Sequence, residues 1–357
     1  MSATENVHAS WRMGIARRAA REYAKNPKVA ALAVAGSVGA GLADRFSDLE
    51  LDCYWATAPS DDDRTRPIAA VSGTLTALWE FDDDDQEWSE DWRLGGLDVT
   101  VSNFLTATVG QMLDDVTGRA DAAPVKHMRL AAIQRSVPLH GAELIGTWRE
   151  LAAYPDRLVA AMVERALGPG VLRGWAARDA LASRGDDLAL ADLLNRIGHA
   201  VAGTMLALNR VYQPHRQLKW QRHLLDGLAI APERAGERLR ELTAGQPAGA
   251  LRTAEELLSE TVALAEKHSA SDLTAFREEM TERRLAIDPP GRAGETLSGA
   301  VSALKLCQLP RFGLSALARI LCRLGSGRCH QAARAEDPGQ CPAGHGRVVD
   351  PERCRRP

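Results

Sequence analysis

One stretch limits the possible folds more than any other. A continuous apolar run, Val29 to Ala35, ends in Gly36-Ser37, and ten residues later the chain reads Asp48-Leu49-Glu50-Leu51-Asp52-Cys53-Tyr54-Trp55. The apolar run is the pattern of a strand buried on both faces. In the second strand, alternation puts Asp48, Glu50 and Asp52 on one face and the apolar residues on the other. Like charges on a buried strand face repel, so the fold must bring cations to them. Gly36 permits close approach of a ligand to the backbone. The Ser37 hydroxyl and a following helix start offer donors to an anion such as phosphate. Asp48 and Glu50 are candidate oxygen ligands for a hard cation. Asp98, on the apolar strand Leu97-Asp98-Val99-Thr100-Val101, is the candidate third acid of a two-metal clamp, and the candidate general base. Asp52 fits a capping or solvated role equally well.

The surrounding pattern predicts an α+β chain. Residues 11–25 read as a helix with Ser10 as N-cap and Trp11, Ile15, Ala19 and Tyr23 on one face. Residues 59–66 read as a polar loop, 67–79 as a helix, 104–116 as a helix and 131–137 as a short strand. From about residue 143 the pattern is helical. Its strongest segment is 187–208, where Leu190, Leu194, Ile197, Val201, Met205 and Leu208 form a stripe. Further helices are expected over 217–229, 232–244, 248–268 and 270–283. Asp288-Pro289-Pro290-Gly291 marks a boundary. The expected organisation is therefore a domain over 1–142, a helical domain over 143–287 and a basic tail over 288–357.

The order apolar residue, Gly36-Ser37, ten residues, Asp48-Leu49-Glu50, with Asp98 on a later strand, resembles the nucleotidyltransferase superfamily that includes DNA polymerase beta. The match covers roughly residues 10–140. Leu208-Asn209-Arg210-Val211-Tyr212-Gln213-Pro214, followed by Lys219-Trp220, resembles the helical C-terminal domain of small bacterial members, antibiotic-modifying adenylyltransferases among them. The resemblance implies a mixed sheet with flanking helices, followed by an all-helical domain that closes the cleft. It also implies transfer of a nucleoside monophosphate, AMP from ATP in the first instance, to a hydroxyl of a small acceptor such as an aminoglycoside. Two Mg2+ ions would sit on Asp48, Glu50 and Asp98, with Gly36 and Ser37 holding the phosphates. Two rival readings are a protein AMP transferase of a toxin–antitoxin system and a non-catalytic nucleotide-binding module of the same fold.

Other residues carry open alternatives. Arg45 is a candidate phosphate contact or a surface residue at a helix end. Lys219 either faces the triphosphate across the cleft or lies on the surface beside a packed Trp220. The acidic run over residues 80–91 reads as a solvated hairpin or loop, or as a rim that attracts a cationic acceptor, with Trp79, Trp88 and Trp92 interleaved.

Charge is unevenly distributed. Residues 300–357 hold ten Lys or Arg against four Asp or Glu, while the first 299 hold 34 against 43. The acidic body argues against nucleic-acid binding. No run reaches the ~18 to 20 apolar residues of a membrane span, and the start lacks a secretory pattern. A cytoplasmic enzyme is expected. Five of the six cysteines lie in the tail, without a paired Cys-x-x-Cys, so a flexible Arg-rich extension is preferred over a zinc site.

Overall fold

The protein is described by a computed structural model covering residues 6–287. The tail expectations, its cysteines included, lie outside the described residues.

Helix α1 spans Val7–Tyr23. Asn6 caps it, its side chain accepting from the amides of His8 and Ala9, so the helix starts ahead of the expected Ser10. It buries Ile15, Ala16, Ala19, Ala20 and Tyr23, while Trp11 stays half exposed. Strand β1 (Val29–Val34), the short helix α2 (Gly36–Gly39) and strand β2 (Leu49–Trp55) follow.

The next segment departs from expectation. The loop over 59–66 is mostly helix: α3 covers Asp61–Ala70. Ser60 and Asp63 form a reciprocal capping box, and Asp61, Asp62 and Asp63 complement the helix dipole in the first turn. The helix expected over 67–79 ends early, and its second half is strand β3 (Thr74–Asp82). Gly73 separates the two because Trp92 lies where a Cβ would be, 2.5 Å from Cε3. Strand β4 (Glu87–Leu94) completes a hairpin with β3, so the acidic run turns between two strands.

Strand β5 (Leu97–Leu105) runs four residues further than expected, and α4 (Thr106–Leu113) follows it, two residues later than the helix expected from 104. The strand expected over 131–137 is instead the end of helix α5 (Pro124–Arg135), which Pro124 opens at its first turn. Strand β6 is Val137–His140. The six strands form one mixed sheet in the order β3-β4-β5-β2-β1-β6. Strands β2 and β5 are parallel, and the other neighbours are antiparallel. The β2–β5 register sets Glu50 beside Thr100 and Asp52 beside Ser102.

The helical region comprises α6 (Ala142–Leu151), α7 (Asp156–Ala166), α8 (Arg178–Arg184), α9 (Asp187–Leu208), α10 (Gln221–Leu225), α11 (Ala235–Ala244), α12 (Pro247–His268) and α13 (Thr274–Thr281). Helix α9 has the expected bounds; α10 and α13 are shorter than their patterns suggested. No described helix is long and apolar enough to cross a membrane.

Sheet parity decides which face meets which layer. Leu49, Leu51, Cys53 and Trp55 point into a core with α1 and Ile68 of α3. Tyr54 and Phe104 point the other way, into a core shared with Leu130, Trp148 and the helices through Phe276. Glu50 and Asp52 have the parity of Tyr54, so the acids face the helical layer. The described residues up to Arg284 belong to one compact unit.

One polar group is sealed inside the first core. Glu90 of β4 is fully buried and accepts from Tyr23 Oη (3.0 Å), Arg64 Nε (3.0 Å) and Asn103 Nδ2 (2.7 Å). Arg64 also donates to the carbonyls of Trp79 and Ser89, which ties α3 to the hairpin.

Candidate functional site

Between the sheet, α5 and residues 214–224 lies a cavity of about 700 Å3. Its floor is the acidic face of β2. Gly36, at φ +56°, begins α2 directly over it. A Cβ on Gly36 would lie 1.4 Å from Glu50 Oε2, so only glycine lets this carboxylate lie against the turn. Ser37 lines the same corner.

The loop that delivers Asp48 is braced from two sides. Asn6 Nδ2 donates to the carbonyls of Gly41 (3.2 Å) and Ala43 (2.9 Å). Buried Arg12 donates through Nε (2.9 Å) and a terminal nitrogen to the Ser47 carbonyl, one residue before Asp48.

The side chains of Asp48 and Glu50 have no hydrogen-bond or ion-pair partner among the described residues. Burial pushes the Glu50 carboxyl up to about 7, and neighbouring Asp48 and Asp52 add to the rise; Lys219 and Arg129 oppose it. Asp52 is better matched. It accepts from Tyr54 Oη (3.2 Å) and lies 2.8 Å from Arg129 NH1. That last contact is an ion pair by distance but is not aligned as a hydrogen bond. Arg129 stacks on the Phe104 ring, 3.5 Å from its centroid, and reaches Glu87 at 3.5 Å. Glu87 also accepts from Ser102 Oγ (3.1 Å), and burial raises its carboxyl to about 7. Across from the acids the wall is cationic or aromatic: His215, Arg216, Lys219, Trp220 and His223. Arg216 pairs with Asp85 at the hairpin turn (2.9 Å).

The structure thus gathers Gly36, Ser37, Asp48, Glu50 and Lys219 around one space. It does not bring Asp98 or Arg45 there. Since Leu49 lies beside Val99, Asp98 falls level with Asp48 at the start of β5, but its side chain is exposed and pairs with Arg93 (2.7 Å) instead of lining the cavity. The sheet positions that face the cavity on β5 are Thr100 and Ser102. Arg45 lies over the Phe46 ring, 4.5 Å from its centroid, instead of turning inward.

Glu87 figured in the sequence only as one of the acidic run over 80–91; Arg129, Thr100 and Ser102 were missed. The last two had a usable signal, their alternation with Val99 and Val101. Arg129 had none, because its helix was not expected. Among the described residues no three His, Cys, Asp or Glu side chains are arranged to hold a metal ion. Asp48 and Glu50 still suit one Mg2+, an ion often bound by one or two carboxylates with substrate phosphates completing the shell. Their lack of partners and the rise of Glu50 are what a carboxylate pair awaiting a cation would show. The other acids that line the cavity, Asp44, Asp52, Asp85 and Glu87, each have protein partners, so a two-ion arrangement would have to draw one of them away.

No protein-family model and no curated protein matches the chain. Among solved structures, the chain is similar to a nucleotidyltransferase-like protein from Exiguobacterium sibiricum, with 15% identity and a TM-score of 0.33. That likeness covers 71% of this chain and 77% of the other.

Proposed function

We propose that this chain is a Mg2+-dependent nucleotidyltransferase that moves a nucleoside monophosphate from a nucleoside triphosphate, ATP in the first instance, to a hydroxyl of a small-molecule acceptor. The observation that carries the reading is the meeting of unpartnered Asp48 and Glu50 with Gly36 and Ser37 in a cavity whose far wall holds Lys219. Asp48 and Glu50 would hold the Mg2+, which when bound neutralises the triphosphate and polarises the reacting phosphoryl group. Gly36 leaves room for phosphate against the backbone, and the Ser37 hydroxyl donates to a phosphate oxygen. Lys219 and Arg216 offset charge on the pyrophosphate side. Glu87, half-buried in the cavity wall, takes the proton of the attacking hydroxyl, the role the resemblance gave to Asp98. The acidic side of the cavity, with Asp52, Asp85 and Glu87, suits an acceptor that carries positive charge, such as an aminoglycoside.

The test is incubation with Mg2+, labelled ATP and a panel of aminoglycosides and lincosamides. Labelled product is expected from the wild type and not from Asp48→Asn. Product that persists in Asp48→Asn would remove the metal site from the reading. The exclusion of Asp98 from the cavity favours one second reading, a nucleotide-binding module without turnover. Calorimetric binding of Mg2+ and ATP with no product from any acceptor would select it.

A further inference from the structure

Two aromatic rings remain without an assignment. Of the large hydrophobic side chains exposed among the described residues, Phe46 and Trp220 line the cavity, at 79% and 41% exposure. The other exposed large hydrophobics, Trp79 and Phe81 included, do not line it. Exposed aromatic area at a cavity loses the burial energy that ordinarily places such rings, so a ligand that covers them recovers it.

Both rings are also held in place. Phe46 sits in a turn where its amide donates to Asp44 Oδ1 (2.9 Å) and Ser47 Oγ donates to the same oxygen (3.1 Å). Arg12 fixes the next carbonyl, and the Arg45 guanidinium covers one face of the ring. Trp220 has φ +60°, and Leu218, two residues earlier, has φ +52°, a backbone region that bulky residues rarely hold. Gln213 Nε2 braces that loop through the carbonyls of His215 (3.0 Å) and Arg216 (3.3 Å). Non-glycine residues kept in this region cluster where a side chain must be aimed.

Their neighbours in sequence indicate the ligand. Phe46 lies two residues before Asp48, and Trp220 follows Lys219. Each ring is therefore tied to a residue that handles the triphosphate in the proposed function, on which this inference rests. We propose that Phe46 and Trp220 form the subsite for the nucleobase of the donor nucleotide, holding it by stacking. Every base offers a π-face, so such a subsite tolerates purines and pyrimidines alike.

Calorimetry on the full chain tests this without an acceptor. The probes are Mg2+ with non-hydrolysable ATP, with non-hydrolysable GTP, and with inorganic tripolyphosphate, which lacks a ring. Phe46→Ala and Trp220→Ala are expected to bind both nucleotides about tenfold more weakly, the fold-change that about 1.4 kcal/mol of lost stacking gives. Both should bind tripolyphosphate as the wild type does, melt at the wild-type temperature, and regain affinity as Phe46→Tyr and Trp220→Phe. Wild-type nucleotide affinity in the alanine variants would overturn the subsite, and so would an equal loss for tripolyphosphate. A wild-type protein that binds neither nucleotide nor tripolyphosphate would overturn the proposed function itself, and with it the inference. The wild-type titration separates that outcome from the other two.

Discussion

The buried group around Glu90 makes a demanding test of the fold. Glu90→Leu removes the acceptor of three hydrogen bonds. Two of the donors have alternatives: Tyr23 Oη also reaches the Arg64 carbonyl (3.2 Å), and Asn103 Nδ2 also approaches the Trp88 and Val101 carbonyls (3.3 Å each). Arg64 Nε has none, and its side chain is 2% exposed. Removing one partner of a buried ion pair costs about 3 to 5 kcal/mol. The lower end applies here, because Arg64 keeps the Trp79 and Ser89 carbonyls and a long pair with exposed Asp61 (3.4 Å). Glu90→Gln should cost only about 1 kcal/mol. Its carbonyl can accept from Arg64 and Asn103 while its amide donates to Tyr23 Oη, and burial pushes Glu90 up to about 7, so only part of a charge is lost near neutrality. Adding Arg64→Met to Glu90→Leu removes the buried cation left with only an exposed acid to pair with and should restore about 1 to 2 kcal/mol. Urea midpoints for the four proteins, with unchanged m-values, give these energies. The reasoning fails if Glu90→Leu stays within about 0.5 kcal/mol of wild type, or if the two substitutions simply add.

Other outcomes follow from the site. Gly36→Ala must displace the Glu50 carboxylate, so calorimetry should show loss of Mg2+-dependent ATP-analogue binding with the fold retained by circular dichroism. Lys219→Met should weaken the analogue about tenfold, an effect that shrinks as salt is added. Asp98→Asn should leave analogue binding unchanged and move the urea midpoint by less than about 0.5 kcal/mol, since its pair with Arg93 is exposed. The Glu90 carboxyl is raised in the folded state, so its contribution to stability is complete below the unfolded value near 4.5 and is lost as pH rises through about 7. The depressed His127 slopes the opposite way, which makes the comparison with Glu90→Gln the clean one. The stability deficit of that variant should narrow between about pH 4.5 and 7.

The mixed sheet and the cavity floor were readable because each depends on alternation. Two-residue spacing placed Glu50 and Asp52 on one face, and the apolar stripe over 187–208 gave α9 its bounds. What failed depended on register or on competition between nearby signals. Asp98 has the right parity and falls level with Asp48, but its cross-strand partner Arg93 on β4 draws the carboxylate away, and that pairing is set by the hairpin. The segment 59–79 carried a capping box and an alternating strand in tandem, and the three adjacent acids disguised a helix start as a loop. Residues 131–137 are apolar enough for a strand, yet Pro124 starts a helix whose momentum carries through Arg135. Arg129 reaches the cavity only through that helix, and its role comes from Asp52 and Phe104, residues distant in sequence.

The acidic hairpin has a consequence unrelated to any ligand. Strand β3 is nine residues long and forms one border of the sheet, with Trp79 and Phe81 exposed on it. Such a border is a template on which another chain can add a strand and seed aggregation. The opposite border, β6, is four residues long and contains Pro138, which limits the same hazard by shortness and a missing donor. On β3 the deterrent is charge: Glu80 and Asp82 on the strand, then Asp83, Asp84 and Asp85 at its turn, repel a second copy laid alongside. Replacing those acids by asparagine and glutamine is expected to increase light scattering with protein concentration while circular dichroism stays unchanged.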